Sequence, residues 1–72
     1  MLILNKRLKE LRLRDGVTQK AIADKIGVTS VSLQRFEYGT ARPKLENIVA
    51  LADFFNVSLD YLVGRSDNPA RI

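Results

Sequence analysis

Short stretches of helical spacing alternate with glycines along this chain, and this alternation limits the fold to a bundle of short helices. Within each stretch, apolar residues recur every three or four positions, which predicts amphipathic helices. Glycine ends a helix readily because it accepts the left-handed backbone conformation. The predicted helices cover residues 5–15, 18–26, 29–37, 45–55 and 59–63. No alternating strand pattern competes with them, so the sequence predicts an all-α fold.

Short polar side chains stand where four of these helices begin, and such residues favour N-caps because their oxygens accept a backbone N–H. The expected caps are Asn5, Thr18, Thr29 and Ser58. The expected helix stops are Gly16, Gly27, Gly39 and Gly64. In the first helix we expect Leu8 and Leu11 to face the core and Arg7 to lie outside it. In the fourth helix, the side chains expected to face the core are Leu45, Ile48, Leu51, Ala52 and Phe55.

The two helices on either side of Gly27 form the most informative pattern. Ala23 is small where a second helix must cross closely, Gly27 allows a sharp turn, and Val28 fills the space beneath it. Leu33 and Phe36 then form a buried stripe on the next helix. A helix-turn-helix needs this spacing to pack its helices at a steep angle, although an ordinary corner in a small bundle remains an alternative.

Length and composition exclude several classes of protein. The 72 residues allow one small domain, 1–72, and leave no room for a second one. The sequence contains neither Cys nor His, which excludes disulfides, zinc fingers and catalysis by either residue. No nucleophile–base pair, metal-ligand set or phosphate loop is visible, so we expect no enzyme activity, metal or cofactor. With no signal sequence or apolar span, the chain is expected in the cytoplasm and not at a membrane.

Charge is divided unevenly along the chain, whose net charge is +4. Residues 1–44 carry ten Lys or Arg against four acidic residues, whereas residues 45–72 carry two against four. The basic part suits a polyanion as a partner, and chance clustering on a solvated surface explains it equally well.

The stretch "TQKAIADKIGVTSVSLQRFEYGTARPKLENIVALADFFNVSLDYLVG" resembles the phage repressor and Cro-type helix-turn-helix family, and the similarity covers about residues 5–64. The matching signatures are Thr18-Gln19, Ala23, Gly27-Val28-Thr29, Phe36-Glu37-Tyr38-Gly39, Pro43 and Val57-Ser58-Leu59-Asp60-Tyr61-Leu62. The resemblance implies a compact five-helix lambda-repressor-like domain that regulates transcription by binding double-stranded DNA, with repression expected and activation left open. Residues 65–72 lie beyond the resemblance and are expected to form a loose tail. Phage repressor, Cro-like protein, antitoxin and stand-alone regulator all fit this pattern.

A recognition helix over 29–37 needs a free face that can enter the major groove beside its buried stripe. Arg35 can fork onto a guanine, Gln34 can pair with an adenine, and Val31 offers an apolar surface to a thymine methyl group. The expected base contacts are Ser30, Val31, Gln34 and Arg35.

Other residues are expected to hold the phosphate backbone. Gln19 opens the second helix, where free backbone N–H groups attract a phosphate, and the resemblance implies a phosphate contact there. Arg42 and Lys44 flank Pro43 in the following loop, where related proteins grip the backbone. Lys44 stands at a cap position but cannot accept the cap hydrogen bond, so a phosphate role and a tolerated poor cap both remain open. The expected phosphate contacts are Gln19, Thr29, Ser32, Arg42 and Lys44.

Glu37 lies in the last turn of the recognition helix, where a carboxylate meets the negative end of the helix dipole and needs a cationic partner. The resemblance pairs it with Arg12. We expect this ion pair to be mainly structural and to fix the recognition helix against the first helix.

The acidic C-terminal part is expected to carry self-association. Phe54, Tyr61 and Val63 are apolar residues beyond those that the inward stripes need, although scattered apolar surface residues are normal. Operator symmetry makes a two-fold homodimer on a near-palindromic operator the default for this class. The apolar start Leu2-Ile3-Leu4 fits three roles: packing across the fifth helix, extending the first helix or pairing with a second chain.

A second class of function also fits a helix-turn-helix fold, namely a protein-interaction or co-activator adaptor module without specific DNA binding. The basic first part and the loop cations argue against it. No small-molecule effector site is evident in the sequence.

Overall fold

Five α-helices follow one another in the computed structural model, which describes residues 3–71. They are α1 (Leu4–Asp15), α2 (Gln19–Ile26), α3 (Ser30–Tyr38), α4 (Leu45–Phe55) and α5 (Leu59–Val63). No strand occurs in this part of the chain. The predicted all-α, five-helix fold is therefore confirmed, and α4 and α5 have the predicted bounds.

Three of the four predicted N-caps are present. The hydroxyl oxygens of Thr18, Thr29 and Ser58 accept the backbone N–H groups three residues further on, at 3.0, 3.0 and 3.1 Å. The prediction for Asn5 is wrong, because α1 begins one residue before it and Ile3 occupies the cap position without a side-chain bond. The N–H of Ile3 instead donates to the carbonyl of Val63 at 3.0 Å, so a tertiary contact with α5 sets the start of α1.

Four helices end at the predicted glycines, whose φ angles lie between +66° and +88°. Helix α4 ends instead at Asn56, with φ at +56°. Asparagine is one of the few other residues that adopts this left-handed conformation at modest cost.

The core is formed by apolar side chains from every helix. Ile22 and Ala23 of α2 have no exposed surface, and α2 packs against α3 and α4. The members of the core are Leu8, Leu11, Ile22, Ala23, Leu33, Phe36, Leu51, Ala52, Phe55, Val57 and Leu62. Fully burying a side chain such as Leu or Ile stabilises the fold by about 1.5–3 kcal/mol. A chain this short depends on such burial, because it buries a smaller fraction of its surface than a larger domain does.

Two side chains differ in burial from the prediction. Leu45 is 72% exposed, because the first turn of α4 projects beyond the core and its buried face begins only at Ile48. Arg7 is 7% exposed, although we expected it outside the core of α1. Its guanidinium lies 3.9 Å from the centre of the Tyr61 ring, an aromatic face that accepts a buried cation.

The segment after α5 was expected to be loose, but its described part, 65–71, lies against α4 and α5. The carbonyl of Pro69 accepts the N–H of Ser58 at 3.0 Å, and Arg71 donates to the carbonyl of Ala52 at 3.3 Å. Arg71 also pairs with Asp53. Leu2, which belongs to the apolar start, lies outside the described residues. Over the described range, no helix has the combined length and apolar character that a membrane span requires.

We predict that Gly64→Ala lowers the free energy of unfolding by more than Gly27→Ala does. Both glycines have left-handed φ angles, so alanine strains either backbone by about 1–2 kcal/mol. A Cβ at position 64 would also collide with the side chain of Ile3, whereas at position 27 it meets no atom within 4 Å. Urea unfolding of both variants measures the difference. Equal losses would contradict the packing of Ile3 against Gly64.

Candidate nucleic-acid interface

Helices α2 and α3 are joined by a tight turn over residues 27–29. The N–H groups of Gly27 and Val28 both donate to the carbonyl of Ala23, at 2.9 and 3.0 Å. Val28 is half-buried and packs against the core beneath the turn. The two helices therefore have the tight turn, small crossing residue and buried plug of a helix-turn-helix.

Helix α3 has one buried and one exposed face. Leu33 and Phe36, which are 0% and 7% exposed, hold it against the body of the domain. On the other face, the structure brings together the four residues predicted to contact bases. Ser30, Val31, Gln34 and Arg35 are all exposed. Val31 is 53% exposed, so its apolar side chain can meet a partner outside the domain.

Thr29 and Ser32 lie at the start of α3 and bond to each other. The Thr29 hydroxyl accepts the N–H of Ser32 at 3.0 Å, and the two hydroxyl oxygens are also 3.0 Å apart. The hydroxyl of Thr29 is therefore already engaged in capping. Ser32 as a residue is half-buried.

The carboxylate of Glu37 joins three helices. Its Oε2 accepts the Nε–H of Arg12 at 2.7 Å, and its Oε1 accepts the Nη2–H of Arg12 at 3.1 Å. Its Oε1 also accepts an Nε2–H of Gln19 at 3.2 Å. The hydrogen bond to Glu37 raises the pKa of Arg12 above its usual value. The Glu37 side chain is 4% exposed, which makes this pair the polar centre of the α1–α2–α3 interface.

Gln19 has a role that the sequence analysis missed. It was expected to contact a phosphate, but the structure places it, half-buried, against Glu37 as well. The second N–H of the same amide nitrogen remains available to an acceptor outside the protein. Only the three-dimensional approach of α2 to the end of α3 reveals this partner.

Arg42 and Lys44 lie in the loop between α3 and α4, and both are exposed. Within residues 3–71, neither forms an ion pair with a carboxylate. Lys44 occupies the N-cap position of α4 and gives no side-chain cap. Its backbone N–H donates instead to Oδ1 of Asn47 at 3.2 Å, so α4 begins without using the ammonium group.

The three residues predicted for self-association have contacts within the monomer. Tyr61 lies under Arg7, and Phe54 packs edge-to-face on Phe55 with ring centres 5.0 Å apart. Val63 is half-buried, and its carbonyl accepts the N–H of Ile3. The large apolar side chains left exposed on α4 and α5 are instead Leu45, Val49 and Leu59, at 72, 40 and 43%. Val49 lies outside the inward stripe predicted for the fourth helix, and that signal could have identified it.

Comparison with known proteins identifies relatives of this arrangement. The family model described as helix-turn-helix matches residues 8–62. The HTH-type transcriptional regulator ImmR of Bacillus subtilis is 38% identical over 89% of this chain and 50% of its own. The cryptic phage CTXphi transcriptional repressor RstR of Vibrio cholerae is 37% identical over 86% of this chain and 55% of its own. This chain thus spans about half the length of these two curated relatives.

A solved structure extends the comparison to geometry. The P22 c2 repressor protein, in complex with the synthetic operator 9T, matches with a TM-score of 0.83 at 26% identity. The match covers 92% of this chain and 100% of that chain. The resemblance to phage repressors that the sequence indicated is confirmed by these comparisons.

We predict that Arg12→Ala and Glu37→Ala each lower the free energy of unfolding by about 1–3 kcal/mol, because each leaves a part-buried charge without its partner. The double variant should lose less than the sum of the two, since it removes both charges together. Urea unfolding of the four proteins measures the coupling. Additive losses would show that the two side chains do not interact in solution.

Proposed function

Because the chain belongs to the helix-turn-helix family, we propose that it is a sequence-specific DNA-binding transcriptional repressor whose recognition helix is α3. The observation that carries this proposal is the two-sided character of α3. Its inner side is fixed by core packing, and its outer side holds four exposed residues of the types that contact base edges. Because this chain covers only 50% of the relative ImmR, the activity of the whole protein is likewise proposed here.

Each of these four residues supplies a different kind of base contact. The guanidinium of Arg35 donates two parallel hydrogen bonds to O6 and N7 of a guanine. The amide of Gln34 donates to and accepts from an adenine. Val31 packs against a thymine methyl group, and the Ser30 hydroxyl bonds either to a base edge or to a neighbouring water.

The phosphate backbone is held on both sides of α3 in this proposal. Gln19 donates its remaining N–H to a phosphate, and Glu37 fixes the direction of that amide. Arg42 and Lys44 reach the backbone from the loop after α3, where no carboxylate of residues 3–71 neutralises them. At the start of the helix the Ser32 hydroxyl completes the set, since it keeps its own hydrogen to donate, whereas the expected contact of Thr29 conflicts with the donation of its hydroxyl hydrogen to Ser32.

We propose further that residues 1–72 form a single domain and that two copies bind a near-palindromic operator in the cytoplasm. The two-fold contact lies on α4 and α5, with recognition helices about 34 Å apart, one turn of DNA. Val49 and Leu59 support this surface better than Phe54, Tyr61 and Val63, which are engaged within the monomer. The adaptor alternative needs no free cations beside α3, so the two loop cations favour the DNA-binding function.

We predict that Arg35→Ala reduces base preference, whereas Lys44→Ala weakens binding to all sequences alike. Losing a bidentate base contact costs about 1–3 kcal/mol at one position of each half-site. Losing a phosphate contact flattens the plot of log affinity against log salt concentration by about one unit. The experiment titrates both variants and the unmodified protein against a selected operator, single-base variants and random duplex at several salt concentrations.

Each result has a distinct meaning. If Arg35→Ala keeps the full base preference of the unmodified protein, Arg35 does not contact a base. If the salt slope of Lys44→Ala is unchanged, Lys44 does not contact a phosphate and is only a poor N-cap residue of α4. If the unmodified protein binds no duplex at any salt concentration, the adaptor function replaces the proposed one.

We predict that Leu59→Asp prevents two copies from occupying one operator. A carboxylate in an apolar two-fold contact loses its water in both copies when they meet, so desolvation opposes the contact. Sedimentation with and without operator DNA measures the stoichiometry. Leu13→Asp is the matched control, since Leu13 is 61% exposed on α1 and lies outside the proposed contact. Two copies of Leu59→Asp on one operator, bound as tightly as the unmodified protein, would contradict this surface.

A further inference from the structure

A cleft of about 460 Å³ lies between the first turn of α1, the end of α3 and the loop that leads into α4. Its walls are mostly apolar and include the side chains of Leu4, Phe36 and Ile48. Clefts that bind small organic molecules measure about 300–1,000 Å³ and combine apolar walls with a few polar groups. Because the walls come from segments far apart in the chain, the sequence alone gives no sign of this cleft.

Two polar side chains of the described residues line the cleft, Arg42 and Asn5. Arg42 is exposed, and no carboxylate of residues 3–71 forms an ion pair with it. The amide nitrogen of Asn5 lies beside Gly39, 3.3 Å from the position that a Cβ would take there. No acidic side chain lines the cleft in the part of the chain that the structure describes. The polar side of the cleft therefore offers one positive charge and further N–H donors.

These features together favour one class of ligand. The guanidinium of an arginine holds a carboxylate by two parallel hydrogen bonds, and apolar walls favour a ligand whose body is hydrocarbon. The single cation Arg42 balances the single charge of a carboxylate, whereas a phosphate monoester carries about −1.5 to −2 charges at neutral pH. A small acid with one carboxylate and an apolar body thus matches the cleft better than a phosphate ester does.

We propose that the cleft binds a small apolar monocarboxylic acid whose carboxylate bonds to Arg42 and to the amide of Asn5. The body of the acid packs against Leu4, Phe36 and Ile48. The consequence for DNA rests on the proposed function, which assigns the same guanidinium to a phosphate. Acid and phosphate then compete for Arg42, so the acid weakens DNA binding, and DNA weakens binding of the acid by the same factor.

Titration with octanoate and with phenylpropionate, followed by the amide signals in NMR spectra, tests the cleft without DNA. Both acids should shift the signals of residues at the cleft until they saturate. Acetate lacks the apolar body and octanamide lacks the charge, so each should bind about tenfold more weakly. Arg42→Gln should weaken octanoate binding by a similar factor. Lys6→Gln is the matched control with unchanged octanoate affinity, because Lys6 is an exposed cation next to Asn5 that does not line the cleft.

A second titration measures operator affinity at equal ionic strength in octanoate and in acetate. Octanoate should weaken operator binding by the unmodified protein, by no more than Arg42→Gln does, since both remove the same phosphate contact. Octanoate should also leave the operator affinity of Arg42→Gln itself unchanged, because the contact is already absent from that variant.

The inference would be overturned if neither acid binds saturably, if octanamide binds as tightly as octanoate, or if Arg42→Gln keeps full octanoate affinity. Octanoate that binds through Arg42 without changing operator affinity would overturn the competition with DNA. Failure of the proposed function gives a different result. A protein that binds octanoate through Arg42 but binds no duplex would support the cleft and overturn the DNA-binding function.

Discussion

The bidentate pair between Arg12 and Glu37 determines how α3, the proposed recognition helix, sits on the domain. A carboxylate that is 4% exposed must be paired, because leaving it unpaired in the interior costs several kcal/mol. Its three donors come from α1 and α2, while Glu37 itself belongs to α3. Any rotation of α3 would break at least one of these bonds. The direction in which the exposed face points is therefore fixed by a buried charge more strictly than by non-directional apolar packing.

In α3, which has nine residues, the side chains that hold the helix on the domain differ from those proposed to contact DNA. An isolated helix of that length is not stable in water, so α3 depends on its cap at Thr29, its stop at Gly39 and its burial of Leu33 and Phe36. None of these residues belongs to the exposed face of α3. That face can consequently hold side chains suited to DNA, including an apolar Val31, without any loss of core packing.

Local signals made most of the fold predictable, and long-range contacts account for what was missed. Caps at Thr18, Thr29 and Ser58 and the glycine stops depend on neighbours in sequence, so they could be predicted from it. The start of α1, the burial of Arg7 and the second role of Gln19 depend on α5, Tyr61 and Glu37, which are distant in sequence. The four base-contact candidates were identifiable because they are among the residues of α3 that remain once its buried stripe, Leu33 and Phe36, is set aside.

The distribution of ion pairs bears on how the proposed complex discriminates between sequences. Several cations of residues 1–44 pair with carboxylates within the domain. The pairs are Arg12 with Glu37, Arg14 with Asp15 and Lys20 with Asp24. Non-specific affinity for DNA grows with the number of free cations that reach phosphates, and here the loop supplies two beside α3. Contacts to phosphates are the same for every sequence, so they add affinity for operator and random duplex alike. The difference between operator and random DNA then rests on the exposed face of α3, whose orientation the Arg12–Glu37 pair maintains.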